Sequence, residues 1–220
     1  MIHLISLKRF PAWRRVFSVL ATALALSGCS VLPESETLSF YRLSSPDATE
    51  SSASPAASAL PVVLRVATPY ANRAVDSTRI LVVPETDRIS AYKGARWSDA
   101  APVLVRNRLV EAFRASSAFR SVVTDSGNLS ADLELSSELF QFNVVYRSGA
   151  PVVRVVVDAT LTDAVASRIL ASRRFDIDQP VNGKEVPEVV QAFGVAVDAL
   201  ADQLLAWSRE QAVQHGKRRP

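Results

Sequence analysis

Val153, Val155, Val157, Ala159 and Leu161 alternate with Arg154, Val156, Asp158, Thr160 and Thr162. Successive side chains of a strand point to opposite faces, so this segment buries one face and leaves the other partly solvated. Ala131–Tyr146 and Arg168–Asp178 flank it as strands of similar length, with Ser148-Gly149-Ala150-Pro151 and Ala164–Ser167 as the turns between them. The pattern predicts an antiparallel meander with one apolar face, and that face needs a second layer. Two helical patterns can supply it. One follows Trp97-Ser98-Asp99 to about Ser117, with Val105, Leu109, Ala112, Phe113 and Ser116 on one side. Ser98 or Asp99 is its expected cap, and Pro102 is tolerated in its first turn. The other runs from about Pro187 to Ala212 with a stripe of Val186, Val189, Val190, Phe193, Val197, Leu200 and Leu204. Shorter strands are expected at Thr37–Leu43, Val62–Ala67, Arg79–Val83, Arg88–Tyr92 and Phe119–Thr124. The expected fold is a two-layer α/β domain with a mixed, largely antiparallel sheet and two long helices.

The N-terminus has a different character. Lys8, Arg9, Arg14 and Arg15 precede the apolar run Val16–Leu26, and no acidic residue occurs before Glu34. This is the order of a secretory signal, and the run is too short to span a bilayer. Leu26-Ser27-Gly28-Cys29 then matches the bacterial lipobox. In that resemblance the chain is cut between Gly28 and Cys29, the Cys29 thiol carries diacylglycerol, and its new amine is acylated. Ser30, where Asp would favour the inner membrane, points to the periplasmic face of the outer membrane. The expected organisation is a signal peptide at 1–28, a lipidated segment at 29–36, one domain at 37–213 with a flexible Ser/Ala/Pro-rich insertion at 44–60, and a basic tail at 214–220.

Cleavage would remove four of the 25 Lys and Arg, leaving 21 against 22 Asp and Glu, a formal charge of −1 in place of +3. That balance argues against a nucleic-acid partner. Catalysis also lacks its usual parts. The mature segment holds one His, His215, and its single Cys is the lipidated one, so neither a nucleophile–base arrangement nor a thiolate or imidazole metal cluster can be assembled. No cofactor is expected beyond the acyl groups. Asp176 and Asp178 share a strand face, where paired carboxylates suit acid–base work and also suit a solvated strand surface. Tyr92, Arg96 and Trp97 are of types enriched at binding hot spots and are the candidate partner-binding set, although Trp97 is better read as packing onto the helix it precedes. Phe140, Phe142, Val144 and Tyr146 form an apolar face that would meet lipid, a second subunit or a covering helix. Lys217 and its neighbours would be a solvated tail or a weak headgroup contact.

Several segments, in order, resemble the ABC-type transport auxiliary lipoproteins. They are Phe40-Tyr41-Arg42-Leu43, Pro69-Tyr70-Ala71-Asn72-Arg73, Ala91-Tyr92-Lys93-Gly94-Ala95-Arg96-Trp97-Ser98 and the terminal VVQAFGVAVDALADQLLAW. Tyr70-Ala71 departs from the family's Tyr-Leu, and the 44–60 insertion is long. The resemblance implies a fold similar to the TolB N-terminal domain. It also implies a non-catalytic role beside an ABC transporter carrying a mammalian-cell-entry (MCE) domain protein, which moves phospholipids or other hydrophobic molecules, with homo-oligomerisation a further expectation. The alternative from another class is a lipoprotein that activates a periplasmic cell-wall enzyme.

Overall fold

The computed structural model describes residues 37–43, 59–85, 87–127 and 129–218, and every structural statement below concerns these. Gly28, Cys29 and most of the 44–60 insertion lie outside them.

Strand β7 (Leu133–Arg147) organises the sheet. One edge pairs antiparallel along its length with β8 (Ala150–Asp163), and β8 pairs with β9 (Arg168–Pro180). This is the expected meander. Its first turn is tighter than Ser148–Pro151, because Ser148 and Gly149 alone reverse the chain at positive φ, 50° and 80°, and Ala150 already belongs to β8. Such a turn matches the right-handed twist of the strands it joins.

The other edge of β7 receives three strands end to end, all parallel to it. They are β2 (Leu60–Val66) at residues 133–135, β3 (Tyr70–Ala71) at 138–139 and β4 (Arg79–Glu85) at 143–145. The chain therefore travels once along β7 and touches it three times. β6 (Phe119–Thr124) extends the sheet in parallel beyond β2. Beyond β4 come β5 (Arg88–Trp97), antiparallel, and β1 (Ser39–Tyr41), parallel to β5. Antiparallel pairs predominate by length and parallel ones fill the remainder, the mixed sheet expected.

Helices α1 (Ala101–Ala115) and α2 (Val186–Arg218) supply the second layer. Val105, Leu109 and Phe113 of α1 and Val189, Phe193, Val197, Leu200 and Leu204 of α2 are buried with Val153, Val155, Val157, Ala159 and Leu161 of β8 in one core. By length and composition α2 is apolar enough to cross a bilayer, but its apolar stripe is taken up by the sheet. Arg108 Nε donates to Asp198 Oδ1 at 2.6 Å and ties the two helices together.

Four expectations are corrected. Neither Ser98 nor Asp99 caps α1: Ala100 occupies the cap position, and Asp99 Oδ1 accepts only the Ala100 N–H, at 2.7 Å. The strand begun at Arg88 continues through Trp97, so Arg96 and Trp97 lie on a strand and not on a loop. The apolar run 140–146 does not form one face. The register passes from Leu139↔Val157 to Gln141↔Val156, leaving Phe140 as a bulge. The bulge shifts the inward phase from Leu133, Leu135 and Leu139 to Phe142 and Val144, which lie under α2, and turns Phe140 outward. Finally, 214–218 is no tail, because α2 runs on to Arg218.

Candidate functional site

The Ala91–Trp97 segment is a bulged strand. Val82 pairs with Ser90 and Leu81 with Ala91, yet Arg79 pairs with Arg96. The surplus residues bow out around Gly94, at φ 66°, a conformation that glycine adopts without a Cβ clash. Beyond the bow, alternation sends Ala95 and Trp97 inward and Arg96 outward. Trp97 is fully buried, edge-on to Phe193 at 5.2 Å and 5.8 Å from Phe142. Phe142 and Phe193 themselves lie 4.5 Å apart. The backbone N–H of Trp97 donates to the Thr78 carbonyl (2.7 Å), and that of Ser98 to Tyr41 (2.8 Å), locking β1 and β4 around the segment. Of the three candidate partner-binding residues, Trp97 is thus a core residue.

Arg96 faces the helix-free side of the sheet, in register with Phe40 of β1 and Arg79 of β4. Phe40 is two-thirds exposed. Tyr92 sits back on the core side, half-buried against Tyr146. Burial first, and the neighbouring Tyr146 second, push its hydroxyl up to about 12. The sheet therefore separates the three: Trp97 inside, Tyr92 at the margin, Arg96 on the open face.

The open face continues across β3, β7, β8 and β9. Tyr70, largely exposed, stands in register with Glu138, Glu138 with Asp158, and Asp158 with Arg174. Arg174 donates to both Asp158 oxygens at 2.6 Å and lies over the Phe140 ring, 5.0 Å from its centre. That guanidinium holds the Asp158 carboxyl below its ordinary range, outweighing partial desolvation. Asp176 and Asp178 are part of this surface network. Asp176 accepts from Arg154 at 2.5 Å, and Asp178 meets Arg147 at 2.7 Å and Arg154 at 3.8 Å. Both carboxylates are thus taken up in ion pairs with Arg147 and Arg154. Among the described residues no three His, Cys, Asp or Glu gather as a metal site. The arrangement suits surface recognition.

The sequence profile of the ABC-type transport auxiliary lipoprotein components matches residues 41–205, which contain all of these features but Phe40. The chain belongs to this family. By that family's description it is an auxiliary lipoprotein component of ABC-type transport. A crystal structure of a Xanthomonas campestris protein superposes with a TM-score of 0.74 at 25% identity, covering 81% of this chain and 99% of that one. A second crystal structure, of an uncharacterized protein, shares the fold at TM-score 0.61 and 14% identity, covering 78% and 98%. An uncharacterized Bradyrhizobium diazoefficiens protein is 25% identical over 154 residues, 70% of this chain. The auxiliary lipoprotein spans 41% of that relative's length.

Proposed function

We propose that this auxiliary lipoprotein is held at the periplasmic face of the outer membrane by acyl chains on Cys29, with cleavage after Gly28. There it serves, without catalysis of its own, a transporter that carries an MCE-domain protein and moves lipids or other hydrophobic molecules. The observation that carries this reading is the family match over 41–205 downstream of an intact Leu-Ser-Gly-Cys. A non-catalytic role is supported by the engagement of Asp176 and Asp178 with arginines. Two or three acyl chains, at about 0.8 kcal/mol per buried methylene, make the attachment stable.

Arg96, with Phe40 beside it and Tyr92 at the margin, is the proposed contact on the open sheet face, for the partner or for a second copy. Crosslinking in intact cells followed by purification of the full-length lipoprotein tests the assignment. Recovery of the MCE-domain protein or another transporter subunit is expected. A cell-wall enzyme recovered in their place would overturn it.

A further inference from the structure

We propose that the end of the domain built from the β8–β9 turn and the last turns of α2 docks an acidic, partly apolar protein surface of the transport assembly. The inference rests on the reading above that such an assembly is the partner.

A buried clasp brings the two segments together. Asp163 ends β8 in the core, and its Oδ1 accepts the N–H groups of Val165 (3.1 Å) and Ala166 (2.9 Å), which shapes the turn. Its Oδ2 lies 3.1 Å from Nε2 of His215, whose side chain is only 10% exposed. The helix end therefore lies packed against the turn. Around the clasp, Val165 and Ile169 are among the most exposed large apolar residues described, at 70% and 66%. Arg168 is exposed at the end of the same turn, and Arg218, three residues on from His215 and so on its side of α2, is exposed too. The nearby acids leave this rim cationic. Asp163 is buried, and Asp132, whose carbonyl accepts the Ala164 N–H, pairs with Arg120 at 3.6 Å. An apolar centre inside a cationic rim fits a partner of opposite charge.

A bilayer is the other anionic surface of this kind, and chain length disfavours it. Through the strand registers Ser39 stands about nine residues, or about 30 Å, along the sheet from the level of Asp163, and about 19 Å across it. Ten residues from Cys29 to Ser39 reach at most about 35 Å. Seating the patch on the leaflet that holds Cys29 would use most of that reach, and β1 runs toward the Asp163 end, so the linker would have to come back against the direction in which the chain enters β1. A protein partner has no such requirement.

The test uses the full-length lipidated protein and the ABC transporter assembly purified from the same cells. Two variants are compared with wild type: Arg168→Glu/Arg218→Glu and Val165→Asp/Ile169→Asp. The charge variant is expected to weaken binding at least about tenfold and to flatten its salt dependence. The apolar variant should weaken binding with the salt dependence kept. In the unlipidated Cys29→Ser chain, which has no acyl chains to hold it, neither set of changes should alter flotation with phosphatidylglycerol vesicles. Affinities within about twofold of wild type in both variants would overturn the patch while leaving the functional reading standing. Lost flotation with intact assembly binding would make the patch a bilayer contact. A wild-type protein that fails to bind the assembly would remove both readings.

Discussion

Trp97 and Arg96 are neighbours in sequence and opposites in role, and the difference is the two-residue period of a strand. Trp97 spends its whole side chain in the Phe142–Phe193 cluster, and its indole Nε1 is buried with no hydrogen-bond partner among the described residues. Trp97→Ala should lower stability by about 3–5 kcal/mol in urea titrations. Trp97→Phe should cost much less, since it keeps an aromatic ring and removes the orphaned donor. Tyr92 gives a pH signature. Its folded hydroxyl titrates near 12 against an ordinary 10.0, so its contribution is fully present below pH 10 and fades as pH rises toward 12. Because the ring is only half-buried, the loss should stay below about 2 kcal/mol. In Tyr92→Phe the alkaline fall in melting temperature above pH 10 should shrink, with tyrosinate absorbance tracking the change. The residue types of this motif were legible as chemistry, and so was the packing of Trp97; that its neighbours are Phe142 and Phe193, and that Arg96 turns outward, was not. Gly94 bows the strand between Ala91 and Arg96, and only the pairing of Arg79 with Arg96 shows how many residues the bow consumes.

At the scale of elements, regular alternation travels well from sequence to structure. The 153–161 pattern placed β7, β8 and β9, and Phe119–Thr124 is a strand with the expected bounds. What breaks alternation stays hidden. The bulge at Phe140 moves two aromatic rings to opposite faces of the sheet without any glycine or proline to announce it. Composition also misled at the end of α2. A run of His, Gly, Lys and Arg reads as a solvated tail, and Gly216, Lys217 and Arg218 are exposed, yet the helix runs on through them and lays His215 against Asp163, distant in sequence. His215→Ala should therefore cost about 1–3 kcal/mol, since it leaves one carboxylate oxygen of Asp163 with weaker surroundings in a buried place. Amide hydrogen exchange should speed up in α2 beyond Ala212 and in the β8–β9 turn together. Faster exchange in the helix end alone would show that the clasp does not couple the two.

For the whole molecule, the layer count and the two helices follow from apolar periodicity, whereas the path of the first half does not. β2, β3 and β4 are short and parallel to β7, and local patterning carries no information about which distant strand a segment will lean on. The anchor is a prediction of its own. Cys29→Ser should leave unlipidated precursor and abolish outer-membrane fractionation, as intact-mass measurement and membrane separation would show. The placement of β7 bears on when this protein becomes itself. Every strand of residues 60–85 needs β7 at its side, directly or through a neighbour, and β7 begins only at Leu133. A chain emerging from its N-terminus has no template for those strands until well past the midpoint, so acquisition of structure is deferred and dominated by long-range closure. A fragment ending at residue 132 should show no cooperative melting, and a polypeptide that stays pliant this long remains threadable through a narrow pore.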